Sequence, residues 1–177
     1  MPIRPPKSIE VKLNLKIFEL AGTWEPNTSE REAAWELYVE LLTRTAVAPL
    51  QYGLLREALT SLYSLFSSSR DVLRRYGPRV AEPKGEGEVN LGFLVVAMLN
   101  YALRPVLSYW HPELDSWESS RAEGTSRLEH ERAWKREPEL RIALEMTRQQ
   151  LEAYAGLLAC ACGVEDLSTA IPKPSDG

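Results

Sequence analysis

The stretch from Asn90 to Trp110, NLGFLVVAMLNYALRPVLSYW, limits the possible folds more than any other. Leu91 to Leu103 is almost unbroken apolar, with Asn100 its only strongly polar side chain. Those 13 residues fall short of the roughly 20 that cross a bilayer, and they exceed the roughly 8 at which strands usually stop. They read as a central helix with protein packed on most of its sides. Pro105 is expected to bend that helix or to open its second segment. His111-Pro112 is expected to make a sharp articulation before further turns over 113–121.

A chain of 177 residues can bury a sizeable core as one domain, and 44% hydrophobic with 26% charged residues is an ordinary globular balance. A net charge of -4 speaks against a general nucleic-acid binder. Arg70, Arg74, Arg75 and Arg79 then read as a solvated helix face. Cys160 and Cys162 point about 200° apart on a helix, which disfavours a disulfide. They are expected to be small buried hydrophobes in a reducing compartment. The opening MPIRPPKSIE has no apolar segment of the secretory kind, so a cytoplasmic protein is the expectation.

A different period governs the N-terminus. Ile9, Val11, Leu13, Leu15 and Ile17 alternate with Glu10, Lys12, Asn14 and Lys16, which is a half-buried strand. No other segment alternates comparably. A lone strand leaves backbone donors and acceptors unpaired, so it needs a weakly patterned segment, a symmetry mate or another protein.

The remainder is helical. Ser29 with Glu32 has the spacing of a capping box and opens a helix to about Val47. A second runs from Gly53 to Tyr76 through Leu55, Leu59, Leu62, Phe66 and Leu73, with Ser67-Ser68-Ser69 a candidate break. Residues 77–89 form a connector. Ser126 with Glu129 makes another capping box. Leu140, Leu144, Thr147, Leu151, Tyr154, Leu158 and Ala161 then alternate spacings of 4 and 3, a seam that packs on its own bundle more readily than on a second copy. Gly163 stops it. The fold expected is a mainly α bundle of four to five helices with an N-terminal β-strand arm: arm 1–20, bundle 21–164, flexible tail 165–177.

Motifs for catalysis are sparse. There is no phosphate-binding glycine loop, dinucleotide fingerprint, nucleophile elbow or zinc-type spacing, and no cofactor is expected. Asn100, Arg104 and Ser108 recur every fourth residue as a polar line on the central helix. Arg104 is expected to meet a carboxylate among Glu36, Glu40, Glu57, Asp115 and Glu145, since burying a lone guanidinium is costly. The competing role is an anion contact. His111 and His130 are the only imidazoles. With Asp115, Glu118 and Glu131 they have the chemistry of a metal set but no metal-binding spacing; otherwise His111 satisfies helix-end carbonyls, and Trp110 and Trp117 anchor packing.

Gly22-Thr23-Trp24-Glu25-Pro26, Ala33-Ala34-Trp35-Glu36-Leu37-Tyr38, Leu103-Arg104-Pro105, Trp110-His111-Pro112 and Glu129-His130-Glu131-Arg132-Ala133-Trp134 resemble signatures of uncharacterised bacterial helical proteins encoded in multigene, conflict- or defence-type neighbourhoods. The resemblance spans most of 9–164 and implies a setting but no activity, cofactor or catalytic residue.

The function expected is a non-enzymatic interaction or oligomerisation module, meeting a second copy or a partner protein through Ile9, Val11, Leu13, Leu15 and Ile17. Strand addition suits such a segment. Nucleic acid and a stable membrane span are not expected. The alternatives are a membrane-acting effector using 91–103 and 153–164, or an enzyme with a site near Arg104, His111 and His130, with Asn100 beside it.

Overall fold

A computed structural model describes residues 5–15, 19–44 and 53–171. Its element order is β1 (Ile9–Asn14), β2 (Glu19–Trp24), α1 (Thr28–Leu42), α2 (Leu55–Tyr76), α3 (Leu91–Ala97), α4 (Arg104–Ser119), α5 (Arg127–Arg132) and α6 (Glu137–Cys162). It is a mainly α bundle with an N-terminal two-stranded sheet.

The alternating strand finds its mate within the chain. β1 pairs antiparallel with β2, Ile9 opposite Trp24 and Asn14 opposite Glu19. Ile9, Val11, Leu13 and Leu15 all turn into the core, where β1 packs against α6. Four of the five side chains expected to meet a partner are therefore packed inside this chain; Ile17 lies outside the described residues. β2 was illegible because only Leu20 and Trp24 of its six residues are buried. Its other edge is covered as well: Thr23 donates to Gly87 O (3.0 Å) and accepts from Val89 N (2.8 Å). Gly22 makes this close approach possible, since a Cβ there would stand 2.9 Å from Gly87 O.

Since Thr23 directs its backbone groups away from β1, the alternation of antiparallel bonds leaves Glu10, Lys12 and Asn14 facing the sheet's outer edge. Gln150 Nε2 donates to Asn14 O there (3.2 Å), and Lys12 pairs with Glu10 (2.8 Å). A charged, partly covered edge discourages a third strand.

α1 starts two residues earlier than its Ser29–Glu32 spacing suggests. Asn27 is the N-cap and Glu30 the third helical residue, each bonding the other's backbone. Asn27-x-x-Glu30 has the same spacing, and Glu30 wins because its carboxylate is also needed inside. It is fully buried and accepts Trp24 Nε1 (3.1 Å), Leu91 N (2.9 Å) and Lys84 Nζ (2.8 Å). The connector thereby ties the hairpin, α1 and α3 together.

The apolar run and the residues after it make one continuous helix. α3 passes into a π turn, Met98–Leu103, in which Arg104 N bonds Leu99 O, five residues back. Pro105 lies directly after the π turn and within the continuous helix, at the start of the α4 segment. The articulation at Pro112 does not occur: this proline lies inside α4. Trp110 and Leu114 are buried on either side of it, which holds both turns on the core while Pro112 faces solvent. Leu91–Ser119 is in consequence long and apolar enough to cross a membrane by length and composition, although 61% of its most apolar window is buried inside the protein.

α2 runs unbroken through Ser67–Ser69, because Ser69 is buried and its neighbours Leu65 and Val72 hold the helix down. α6 packs mainly against α1 and β1. All seven seam residues from Leu140 to Ala161 are buried within this one chain, so the heptad pattern is used internally. Gly163 takes the left-handed conformation (φ 66°) that ends α6. Ser126 and Glu129 form the expected reciprocal box. Cys160 is exposed rather than buried, since it falls opposite the seam, and Cys162 is half-buried beside Arg31 O. The segment after α6 begins with a short 3-10 turn, Leu167–Ala170, in which Leu167 N donates to Tyr38 Oη (2.8 Å).

Candidate functional site

The polar line of the central helix forms one wall of a groove. Asn100 Nδ2 donates to Val96 O, Arg104 Nε to Asn100 Oδ1, and Ser108 Oγ to Arg104 O, each at 2.8 Å. Side chains four apart on a helix stack one above the next, which is why the line is continuous. The opposite wall is the face of α2 bearing Tyr63, Phe66 and Arg70. These residues are three and four apart and lie away from buried Leu62, Leu65 and Ser69. Leu99 and Leu107 make the floor, His111 closes one end, and the groove encloses about 450 Å³.

Arg104 departs from its expected pairing. Among the described residues it meets no carboxylate; it lies over the Phe66 ring, 5.3 Å from the centroid. Its expected partners are engaged elsewhere: Glu36 with Arg75, Glu40 with Arg44, Glu145 with Arg148. Asp115 lies near Arg56, and Glu57 lines a different cleft. The physical reason is exposure. A guanidinium in contact with water needs no counter-charge, and the ring supplies a cation–π contact instead.

His111 is half-buried. Its Nδ1 stands 3.1 Å from Arg56 Nη1, a donor, so Nδ1 accepts and the proton resides on Nε2. Burial, reinforced by the Arg56 charge, holds this imidazole below the usual histidine range against the opposing pull of Asp115 and Glu118. Arg56 is itself held by Glu118 Oε2 at 2.9 and 2.6 Å. Tyr63, which is 60% exposed, meets His111 in a T-shaped contact with 5.9 Å between ring centroids. The expected bond from His111 to helix-end carbonyls is thus replaced by Arg56.

His130 does not join this group. It lines a second cleft of about 300 Å³ with Arg56, Trp117, Glu118 and Glu131. Its ring lies flat on Trp117, 4.5 Å between centroids, and the two residues exchange bonds: Trp117 Nε1 to His130 O (2.9 Å), and His130 Nε2 to Trp117 O (2.8 Å). Trp134 stacks on Trp117 and meets Trp110 edge-on, so three tryptophans form an internal anchor. Trp24 is in the core, which leaves Trp35 as the exposed one.

Glu131 is the buried acid of the second cleft. It accepts Leu55 N (2.8 Å) and Arg141 Nη2 (3.2 Å), serving the first turn of α2 where Leu54 has no capping group. Burial raises its carboxyl above the usual range. Among the described residues, no three His, Cys, Asp or Glu side chains converge to hold a metal ion. Asn100, Arg104 and His111 therefore share one groove, and His130 belongs to another.

Three groove residues escaped sequence reasoning. Tyr63 was the one signal available, an aromatic residue off the apolar phase of α2. Phe66 read as core, and Arg70 as part of a solvated cluster. No family model matches this sequence, and no curated protein or solved structure matches it.

Proposed function

We propose that this chain is a non-enzymatic helical module that binds a partner protein. The binding surface in this reading is the groove between α2 and the π–α4 helix, and the occupant is an acidic segment of the partner. One observation carries the proposal. Arg70 and Arg104 face one groove with no carboxylate in its lining, beside the exposed ring of Tyr63. Such a surface attracts an acidic chain by charge and offers it aromatic contact, and Tyr and Arg are the residues enriched where partners bind tightly. The resemblance to proteins of defence-type neighbourhoods supports a setting in which one component recognises another.

The test is binding of a labelled peptide rich in Glu and Phe, followed by fluorescence anisotropy, against the same peptide with Lys for Glu. The acidic peptide is expected to bind preferentially, to weaken as salt rises, and to be lost in Arg70→Glu/Arg104→Glu. Equal binding of both peptides, or indifference to the double reversal, would sink the proposal.

A membrane-acting role is the second reading, favoured by the length and hydropathy of Leu91–Ser119. Arg104 within that stretch is expensive in lipid. Dye release from liposomes on adding the protein would bring this reading forward.

A further inference from the structure

Phe66 holds both cationic side chains of the groove. Its carbonyl accepts Arg70 Nε (3.1 Å), and its ring lies beneath the guanidinium of Arg104 at 5.3 Å. Arg104 Nε is held in turn by Asn100 Oδ1 (2.8 Å). In each arginine the inner nitrogen is used to fix the side chain. Among the described residues, the two terminal nitrogens of each have no hydrogen-bonded acceptor and neither guanidinium has an ion pair. Two planar forks, tethered to the same residue, therefore end in one groove.

The number of forks discriminates between anions. A carboxylate carries one negative charge and two oxygens, and a single guanidinium satisfies it in bidentate fashion. A phosphate monoester carries about -1.5 to -2 charges and three strong acceptor oxygens, which a pair of guanidiniums matches in both respects. The groove lining carries two fixed positive charges, from Arg70 and Arg104, and no negative one. Ser108 lies alongside as a further polar group, and Tyr63 and Phe66 offer an apolar wall for the stem that bears the phosphate.

We propose that the groove binds a phosphate monoester on a side chain of the partner protein, with Arg70 and Arg104 taking its oxygens. This rests on the partner-binding reading above and names the chemistry that the partner presents. A plain acidic segment then binds weakly, and phosphorylation of the partner switches the association on.

The experiment uses the full chain and one acidic peptide in three forms, with tyrosine, phosphotyrosine or glutamate at the central position. The phosphorylated form is expected to bind roughly tenfold or more tighter than either other form. Arg70→Lys/Arg104→Lys keeps the charge but removes the forks, and is expected to cost the phosphopeptide roughly tenfold and the glutamate form less, since a carboxylate engages one fork and a phosphate two. In 15N-labelled protein the Nε–H signals of Arg70 and Arg104 should move on adding phosphopeptide, a readout that needs no variant. If the glutamate and phosphotyrosine forms bind equally, the phosphate inference falls and the acidic-partner reading stands. If no form binds, both fall.

Discussion

Lys84 Nζ stands 2.8 Å from Glu30 Oε2, and the carboxylate it meets is wholly buried. Trp24 Nε1 and the backbone amides of Asn27 and Leu91 donate to the same group. A buried charge is tolerable when it is paired and its oxygens are hydrogen-bonded, and Glu30 meets both conditions. Glu30→Ala leaves an indole and two amides without this acceptor and the Lys84 ammonium without its counter-charge, though Lys84 still donates to Glu25 O. It is expected to cost about 3–5 kcal/mol in urea unfolding. Lys84→Met, which leaves three donors on the carboxylate, is expected to cost less. The reverse order would show that the ammonium, not the donor set, matters most.

Two tyrosines make a matched test. Tyr154 is buried and its hydroxyl has no partner among the described residues; burial pushes its pKa far up. Tyr154→Phe is expected to be neutral or to stabilise by about 1 kcal/mol, since an unpaired buried hydroxyl is a cost. Tyr38 is equally buried, but its Oη accepts Leu167 N and lies 3.4 Å from Asp166 Oδ1. Tyr38→Phe is expected to destabilise by about 1–2 kcal/mol. Thermal melts of the two variants should move in opposite directions, or at least differ clearly.

His111 imparts a pH dependence whose sign is set by its depressed pKa. The unfolded imidazole takes up a proton at a higher pH than the folded one, so stability is retained above the usual histidine range and declines as pH falls through it. Urea midpoints at neutral and mildly acidic pH should therefore drop more for the wild type than for His111→Gln. Arg56, Asp115 and Glu118, the charged groups that act on His111, are present in both proteins. Identical drops would remove His111 as the source.

Gly22→Ala tests the covering of β2. A methyl group there meets Gly87 O, a backbone atom with little freedom to retreat. Loss of the Thr23–Gly87 and Thr23–Val89 bonds is the expected result, read as faster amide exchange at Thr23 and Val89 with the β1–β2 register retained. Unchanged exchange at both would mean that the loop shifts without penalty.

What the sequence disclosed depended on whether a signal was local. β1, the seam of α6, Gly163 and the Ser126–Glu129 box were legible because period and cap spacing lie within a few residues. β2 was not, since its strand character comes from what covers it: Val11 opposite Gly22 on one side and Gly87 on the other. The Ser29 cap gave way to Asn27 because Trp24, Lys84 and Leu91 all meet Glu30, a convergence that exists only in the folded chain. Pro112 read as a break because its neighbours' burial is tertiary. For the groove, Asn100, Arg104 and Ser108 were visible as a periodic line. The role of Phe66 was not, because it requires α2 and α4 to be set side by side.

The junction at Glu30 also bears on how this molecule comes apart. Its donors arrive from the end of the hairpin, the loop before the central helix and that helix's own first residue, so the loss of any one leaves a buried carboxylate short of a partner and weakens the hold on the rest. Opening of the N-terminal ribbon and melting of the start of the apolar rod should be a single cooperative event. Slow-exchanging protons at the Trp24 indole and the Leu91 amide would then vanish together, with a common free energy of exposure.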